Sequence, residues 1–344
     1  MKKRITAFVT GLFMALSILT GCAAAKPAAT ADTEAAAAAE TSEAAAVSSG
    51  SLRIAGLTGP TTMGLVKLMQ DAEDGLASGN YEFSLYGTAD EVTPKLLKGE
   101  LDLAAVPANL ASVLYNNTEG QIRLVAVNTL GVLYIVENGE TVSSLEDLKG
   151  QTVYATGKGS TPEYTLRYLL KQHGIDPDKD LTIEFKSEPA EVVALMESRK
   201  NVIAMLPQPY VTVAGTKVED LSVRLDLTKE WDSLGNGSQL ITGVMVARAD
   251  VLKDRPEEIK KFLGEYEASV NYVQENTEEA SQLIEKYGIV KAAVAKKALP
   301  ACNLTFLKGA DLKAPVSGYL GTLFEENPKA VGGKLPGDDF YYTE

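Results

Sequence analysis

The sequence predicts an α/β fold made of two similarly built lobes, and three observations lead to this prediction. Short apolar segments typical of strands alternate with helical segments, and turns containing Gly and Pro separate them, which indicates a largely parallel sheet flanked by helices. The folded part, residues 51–344, is large for a single hydrophobic core. The same alternation occurs over residues 51–128 and again over 150–225, which indicates two lobes of similar construction.

The composition is that of an ordinary globular protein and excludes several classes of function. The chain has 344 residues and a formal net charge of −13, which argues against a protein that binds nucleic acid through its phosphates. It contains one histidine, His173, and two cysteines, Cys22 and Cys302, so zinc sites with several histidines and iron–sulfur clusters are excluded. We therefore expect no metal, no cofactor and no catalytic residue.

The N-terminus predicts a secretory leader, residues 1–21. A basic start is followed by an apolar run from Ile5 to Ile18, which is too short and wrongly flanked for a stable transmembrane helix. The leader ends in Leu-Thr-Gly before Cys22, and this segment resembles the cleavage box of bacterial lipoproteins. The resemblance implies that Cys22 becomes the lipidated N-terminal residue; an ordinary signal peptide that happens to contain a cysteine is the alternative.

Residues 22–50 are predicted to be a tether behind this lipid anchor. Half of residues 23–50 are alanine, 14 of 28, and the segment has no aromatic residue. It therefore carries too little bulky apolar surface to form a core.

The first unit of the folded part is predicted from its strand and turn signals. Strands are expected over 52–57, 81–86, 101–106 and 122–128, and helices over 63–77, 91–98 and 110–116. The second unit repeats this order. A helical turn is expected over 145–149, strands over 152–155, 181–185 and 202–206, and helices over 163–173 and 190–198. After an irregular stretch, 226–239, a strand is expected over 241–247 and then mainly helices, including 256–274 and 277–287.

Three turns between a strand and a helix predict a binding crevice. The segments 58–62, 88–90 and 157–161 consist mainly of small and hydroxyl residues, and ligands of such sheets bind beyond the carboxyl ends of the strands. Free N–H groups at helix starts hold ligand oxygens, and small residues let a ligand approach the backbone. Helix capping alone explains one such turn, but three at equivalent places favour a crevice. Residues 157–161 lack the spacing of a phosphate-binding loop, which argues against a nucleotide triphosphatase.

The order of these segments resembles a known family. The lipoprotein box, the Ala-rich tether, Gly-Pro-Thr-Thr-Met-Gly at 59–64 and Leu-Leu-Lys-Gly-Glu-Leu-Asp-Leu-Ala-Ala-Val-Pro-Ala-Asn at 96–109 resemble the extracytoplasmic solute-binding proteins of ATP-driven (ABC) importers. Within this family, the sequence most resembles the branch that binds nitrate, sulfonates, taurine and thiamine precursors. The resemblance covers roughly residues 51–330 and implies a type II periplasmic-binding-protein fold, in which two lobes with mixed sheets are joined by a hinge.

The resemblance also implies where the lobes and the hinge lie. Lobe I is expected to comprise 51–130 and 243–344, and lobe II 131–242. The crossings are expected at Thr129 to Gly131 and at Thr242–Gly243, where small residues suit a bend. Pocket residues carried over by position come from the turns of both lobes: Pro60, Thr61, Thr62, Met63, Thr88, Asp90 and Asn109 from lobe I, and Gly159, Ser160, Thr161, Glu188, Gln208 and Tyr210 from lobe II.

The resemblance implies a membrane-anchored receptor that captures a small molecule and presents it to an ABC permease. No turn places an Arg in the crevice, which favours a neutral or zwitterionic ligand, or a small anion held by backbone amides, although Arg167 and Lys158 lie near enough in sequence to change this. Sulfonates and pyrimidine or thiamine-precursor compounds remain open as ligands. We expect a monomer outside the cytoplasm, lipid-anchored to the bacterial cell membrane. Two alternatives are an enzyme on the same fold and a lipoprotein that presents a ligand to a sensor.

Overall fold

The computed structural model describes residues 50–343 and consists of two mixed β-sheets flanked by helices, as the sequence predicts. The leader, Cys22 and the tether lie outside the described residues. Among residues 50–343, no helix is long and apolar enough to cross a membrane. The strands are β1 Leu52–Leu57, β2 Tyr81–Tyr86, β3 Leu103–Pro107, β4 Ile122–Leu130, β5 Leu133–Glu137, β6 Thr152–Ala155, β7 Thr182–Phe185, β8 Ile203–Pro207, β9 Ser222–Asp226, β10 Ile241–Arg248 and β11 Leu304–Leu307.

Thirteen α-helices are described between residues 50 and 343. They are α1 Pro60–Met63, α2 Val66–Glu73, α3 Ala89–Leu97, α4 Ala108–Asn117, α5 Thr161–Gln172, α6 Pro189–Ser198, α7 Tyr210–Lys217, α8 Leu227–Ser233, α9 Ala249–Asp254, α10 Pro256–Glu275, α11 Thr277–Lys286, α12 Ala292–Ala298 and α13 Ala310–Glu326. Short 3₁₀ segments lie at Leu145–Leu148, Leu299–Ala301, Pro328–Val331 and Asp338–Phe340.

The two sheets share one plan. In the six-stranded sheet the order is β11-β4-β10-β3-β1-β2, with β1, β2 and β3 parallel and β10 antiparallel to β3 and β4. In the five-stranded sheet the order is β7-β6-β8-β5-β9, with β6, β7 and β8 parallel and β5 antiparallel to β8 and β9. Each sheet therefore contains three neighbouring parallel strands on one side and antiparallel strands on the other. We call the six-stranded sheet with its helices the first lobe and the five-stranded sheet with its helices the second.

The chain passes between the sheets twice. It leaves the six-stranded sheet after β4, enters the five-stranded sheet at β5, and returns through residues 234–240 to β10. Gly131, in the first passage, has no room for a side chain, since a Cβ there would lie 2.1 Å from Oγ1 of Thr228. The Asn303 side-chain amide donates a hydrogen bond to the Gly131 carbonyl and ties this passage to the segment before β11.

One hydrophobic cluster is continuous through both lobes, and its members include Trp231. The Trp231 side chain is fully buried, with its ring centroid 4.7 Å from that of Tyr168 in α5 and 5.6 Å from that of Tyr319 in α13. The prediction of an irregular stretch over 226–239 was wrong here, because 227–233 form α8. The Asp226 carboxylate accepts a hydrogen bond from the Thr228 N–H at 3.0 Å and caps this helix, which is too short for its periodicity to stand out.

Other differences from the predicted elements also have tertiary causes. The predicted helix over 63–77 is two helices, α1 and α2. Pro60 starts α1 early, and the chain breaks at Gly64, where a Cβ would lie 2.8 Å from Cγ2 of Val270 in α10. The sequence reasoning missed β5, β9, β11 and α7. The three missed strands, β5, β9 and β11, are short, and the strands they pair with are distant in sequence.

The surroundings of Glu137, at the end of β5, predict that acid lowers the stability of the fold. Its side chain is 1% exposed, accepts hydrogen bonds from the N–H groups of Thr141 and Val142, and lies 3.2 Å from Nε of Arg224. Burial alone would raise the pKa of Glu137, but these hydrogen bonds and the Arg224 charge lower it below its usual value. The carboxylate therefore stabilises the fold above the unfolded-state pKa of about 4.3, and this contribution is lost as the pH falls through the lowered folded-state pKa.

We expect Glu137→Gln to lower the free energy of unfolding by about 2 kcal/mol at pH 7, since it removes a charged acceptor from a buried network. Urea unfolding of both proteins at pH 7 and at progressively lower pH measures this. The difference between the two proteins should shrink on acidification. A difference that stays constant over this range would contradict the role assigned to the Glu137 charge.

Candidate functional site

Six strand–helix turns form the candidate site. In the first lobe, β1, β2 and β3 are followed by α1, α3 and α4, and in the second lobe β6, β7 and β8 are followed by α5, α6 and α7. Because the strands of each set are parallel, each lobe places three helix starts at one edge of its sheet. Backbone N–H groups at helix starts lack helical partners and are available to ligand oxygens.

We call the edge of each sheet at which its parallel strands end and these helices start the turn-bearing edge. The turn-bearing edges of the two lobes meet. The Thr161 hydroxyl, at the start of α5, donates a hydrogen bond to Oδ1 of Asn109 in α4 at 3.2 Å, and the Asn109 N–H lies 3.5 Å from the same hydroxyl oxygen. A second approach lies at Gly87, where a Cβ would be 3.5 Å from Oε1 of Glu188 in the opposite lobe. Asn109 and Thr161, which are predicted from different lobes, are therefore in contact, and Glu188 of the second lobe lies close to the turn that follows β2.

The predicted residues of the α1 turn fall into two groups, Thr62 and Met63 on the one hand and Pro60 and Thr61 on the other. The Thr62 hydroxyl donates to the Leu57 carbonyl at 2.5 Å, and Met63 is fully buried with its sulfur 3.8 Å from that of Cys302. These two side chains hold α1 to its own lobe. Pro60 is the first residue of α1, and the Thr61 hydroxyl is buried without a hydrogen-bond partner among the described residues.

The other two turns of the first lobe are structurally supported. The Thr88 N–H and hydroxyl both donate to the Glu91 carboxylate, at 3.1 and 3.3 Å, which caps α3, and Asp90 beside them is exposed. The Asn109 side chain is 1% exposed, and its amide donates to the Ala330 carbonyl at 3.0 Å. Asn109 is thus fixed by the C-terminal part of the chain while its Oδ1 contacts the second lobe.

The α5 turn of the second lobe is held by its own side chains. Gly159 has a φ of +74°, a conformation that favours glycine, and its N–H donates to Oε2 of Glu163 at 2.6 Å. The Ser160 hydroxyl donates to the Gly157 carbonyl at 2.8 Å. Thr161, fully buried, is the residue of this turn whose side chain reaches the first lobe.

The α6 and α7 turns bring Glu188 next to Tyr210. Glu188 is exposed, and its carboxylate makes no hydrogen bond or ion pair within residues 50–343. Burial, and then the negative charge of Glu188, raise the pKa of the half-buried Tyr210. The Gln208 side-chain oxygen accepts hydrogen bonds from the N–H and hydroxyl of Thr212, at 3.3 and 2.9 Å, so it supports the start of α7.

Carboxylates outnumber cations at the six turns. The charged residues of the turns and first helical turns are the acids Asp90, Glu91, Glu163, Glu188 and Glu191 and the cations Lys158 and Lys186. Lys186 pairs with Glu184 at 2.5 Å. Arg167 pairs with Glu163 and Asp178, both at 2.9 Å, so its charge is already matched. No cluster of metal-binding side chains is found in the described part of the chain.

Sequence reasoning missed a polar group beneath α1. Asn128 is 2% exposed, and its Nδ2 has no hydrogen-bond partner among the described residues. It lies in β4 at an irregularity of the pairing with β10, because Gly243 pairs with Thr129 and Val244 with Val127. A polar residue inside an otherwise apolar strand was the signal that could have found it.

Comparison with known proteins places this geometry in a family. Residues 65–299 match the family described as ABC transporter, phosphonate, periplasmic substrate-binding protein. A binding protein of Brucella abortus is 24% identical over 174 residues, covering 51% of this chain and 52% of the relative. The chain thus spans about half the length of the curated relatives it matches.

Solved structures share the fold. An ABC transporter protein from Parabacteroides distasonis has a TM-score of 0.72 at 23% identity, covering 86% of this chain and 100% of its own. The periplasmic aliphatic sulphonate binding protein SsuA from Escherichia coli has a TM-score of 0.68 at 18% identity, and the match covers 86% of this chain and 93% of SsuA. Since the family match extends over more than half of the chain, this protein belongs to the phosphonate periplasmic substrate-binding protein family of ABC transporters.

Proposed function

We propose that this protein is the extracytoplasmic solute receptor of an ABC importer, and that it captures a small molecule between its lobes and delivers it to a permease. The observation that carries this proposal is the meeting of the two turn-bearing edges, with Thr161 of one lobe bonded to Asn109 of the other. A crevice between two lobes, lined by helix starts, is suited to enclosing a ligand. Membership of a periplasmic substrate-binding family supports the same function.

Closure is proposed to occur about the two chain passages. Lobe I would comprise 51–130 and 243–344, lobe II 131–242, and the bends would lie at Thr129–Gly131 and Thr242–Gly243. Gly131 in the first passage, and Gly243 near the start of β10 just after the second passage, support this assignment. The anchor is proposed to be lipid on Cys22, with 23–50 as its tether. The leader that precedes Cys22 and the family's extracytoplasmic location support it.

The pocket is proposed to use predicted residues at the turns and helix starts of both lobes. These are Pro60, Thr61, Thr88, Asp90 and Asn109 of the first lobe and Gly159, Ser160, Thr161, Glu188, Gln208 and Tyr210 of the second. The acids at these turns make a ligand with only negative charge unfavourable. A ligand with an ammonium group, or with no net negative charge, would meet Glu188 without this cost, and the Tyr210 ring could pack against its cationic end.

A matched set of ligands tests this proposal. Taurine and ethanesulfonate differ only by an ammonium group, and so do 2-aminoethylphosphonate and ethylphosphonate. Titration calorimetry at pH 7 should show each ammonium compound binding about tenfold more tightly than its partner, or more. A simple anion that binds as tightly as its ammonium partner would contradict the ligand class and leave the receptor function in place.

The receptor function itself has a separate test. The protein is incubated with the small-molecule fraction of yeast extract and washed, and the retained solutes are identified by mass spectrometry after denaturation. We expect at least one retained solute, and its addition at 100 times its dissociation constant should stabilise the fold by about 2.7 kcal/mol. A protein that retains nothing and shows no stabilisation by any of the four named compounds would contradict a receptor.

A further inference from the structure

Two buried polar side chains with unpartnered atoms lie beside one glycine of β10, Gly243, beneath α1. The Thr61 hydroxyl and the Asn128 side-chain nitrogen have no hydrogen-bond partner among the described residues, and their residues are 8% and 2% exposed. Buried polar groups are nearly always hydrogen-bonded, so two of them in one place call for a physical reason. Neither group belongs to the helix caps that hold the other turns.

Gly243 shows that the two groups are neighbours. A Cβ on Gly243 would lie 2.4 Å from Cγ2 of Thr61 and 2.7 Å from Oδ1 of Asn128. The Thr61 methyl group and the Asn128 amide oxygen therefore approach the same point, from α1 and from β4, and bring the two side chains next to each other. The absence of a side chain at this position is what allows them to come together.

The orientation of the Asn128 amide leaves a donor free. Its Oδ1 accepts a hydrogen bond from the Thr129 hydroxyl at 2.9 Å, so Nδ2 is the atom that remains unsatisfied. The Tyr266 hydroxyl donates to the Thr61 carbonyl at 3.5 Å; burial raises the pKa of Tyr266, and the Asn128 side chain, which approaches the same hydroxyl, lowers it in part. The donors of this group that lack a hydrogen-bond acceptor among the described residues are therefore the Thr61 hydroxyl and Asn128 Nδ2, and the group carries no charge.

We propose that Thr61 and Asn128 form a binding subsite for an uncharged hydrogen-bond acceptor of the ligand, such as a carbonyl, amide, ether or ring-nitrogen atom. An ionised oxygen would be buried here without a counter-charge, which is costly. The charged groups of the ligand are thus left to the turns. This inference rests on the proposed receptor function, because the acceptor must arrive on a molecule captured in the crevice.

The subsite predicts opposite effects on stability and on binding. Thr61→Val keeps the shape of the side chain and removes an unsatisfied hydroxyl, so the ligand-free protein should melt at the same temperature or higher. The same variant should retain at least about tenfold less of the solute that the unmodified chain takes from the small-molecule fraction of yeast extract. Thr61→Ser keeps the hydroxyl and should retain binding.

Thr165→Val is the matched control. The Thr165 hydroxyl is also fully buried without a hydrogen-bond partner among residues 50–343, but it lies in α5 and not beside Gly243. This control should bind the solute as the unmodified chain does. Asn128→Leu gives a second test of the subsite, with its melting temperature as a check that it folds, and it should also lose the solute.

The outcomes separate the subsite from the receptor function. Loss of the solute in Thr61→Val, with retention in Thr61→Ser and Thr165→Val, supports the subsite, provided that the retained solute contains an uncharged acceptor. Full retention in Thr61→Val overturns it and indicates a structural pair bridged by buried water. A solute without any such acceptor also overturns it. If the unmodified chain retains nothing, the receptor function fails and the subsite fails with it.

Discussion

Replacing Trp231 by alanine is expected to lower the free energy of unfolding by about 3–5 kcal/mol. Trp231 is fully buried, its ring packs between those of Tyr168 and Tyr319, and its Nε1 donates a hydrogen bond to the Ser238 hydroxyl at 3.1 Å. The substitution would leave a cavity where α5, α8 and α13 meet. Urea unfolding followed by circular dichroism measures the effect, because the variant has no tryptophan to report it.

Trp231→Phe is the control for this prediction. It keeps an aromatic ring between Tyr168 and Tyr319 and loses the hydrogen bond to Ser238, so the loss of stability should be clearly smaller than that of the alanine variant. A loss below about 1 kcal/mol for Trp231→Ala would mean that the site collapses around the missing side chain. The importance for stability that we assign to Trp231 in the hydrophobic cluster of both lobes would then be incorrect.

Replacing Thr161 by tryptophan is expected to weaken solute binding at least about 100-fold. Thr161 is fully buried where the lobes meet, with its hydroxyl 3.2 Å from Oδ1 of Asn109. An indole at this point would hold the turn-bearing edges apart, and a ligand between them would lose its contacts with one lobe. A 100-fold loss corresponds to about 2.7 kcal/mol of binding free energy. Retention of yeast-extract solutes, followed by calorimetry with the solute identified, measures it.

Thr152→Trp is the matched control for Thr161→Trp. Thr152 is exposed at the start of β6 in the same lobe, and the same substitution there should leave binding unchanged. Circular dichroism and a melting curve establish that both variants fold. If Thr161→Trp folds and binds with unchanged affinity, the ligand does not lie between the edges joined by Thr161 and Asn109.

Sequence reasoning placed the parallel strands of both lobes accurately. The predicted bounds of β1, β2 and β6 agree with the structure, and β3, β7 and β8 differ by at most two residues at either end. These strands are short apolar runs ended by Gly, Pro or Asp, so their signal is local. The helices that follow these strands were predicted for the same reason, with two exceptions: α7 after β8 was missed, and Pro60 and Gly64 divide the first predicted helix into α1 and α2.

The residues of the candidate site stay predictions. The turn pattern pointed to the segments that contain Thr61 and Thr161, the family resemblance added Asn109, and the structure brings Asn109 and Thr161 into contact. The resemblance also carried over Thr62 and Met63, whose side chains contact their own lobe, at the Leu57 carbonyl and at the Cys302 sulfur.

The sequence by itself determined the α/β class, the two lobes and the turns that end the parallel strands, because each depends on the order of apolar and turn-forming residues over a few positions. The tertiary structure decided which turns face each other, that Trp231 lies in the shared core, and that Asn128 stands beside Thr61. Each of these depends on residues distant in the chain, brought together by strand pairing and by the close approach at Gly243. Local patterns carry no record of such contacts.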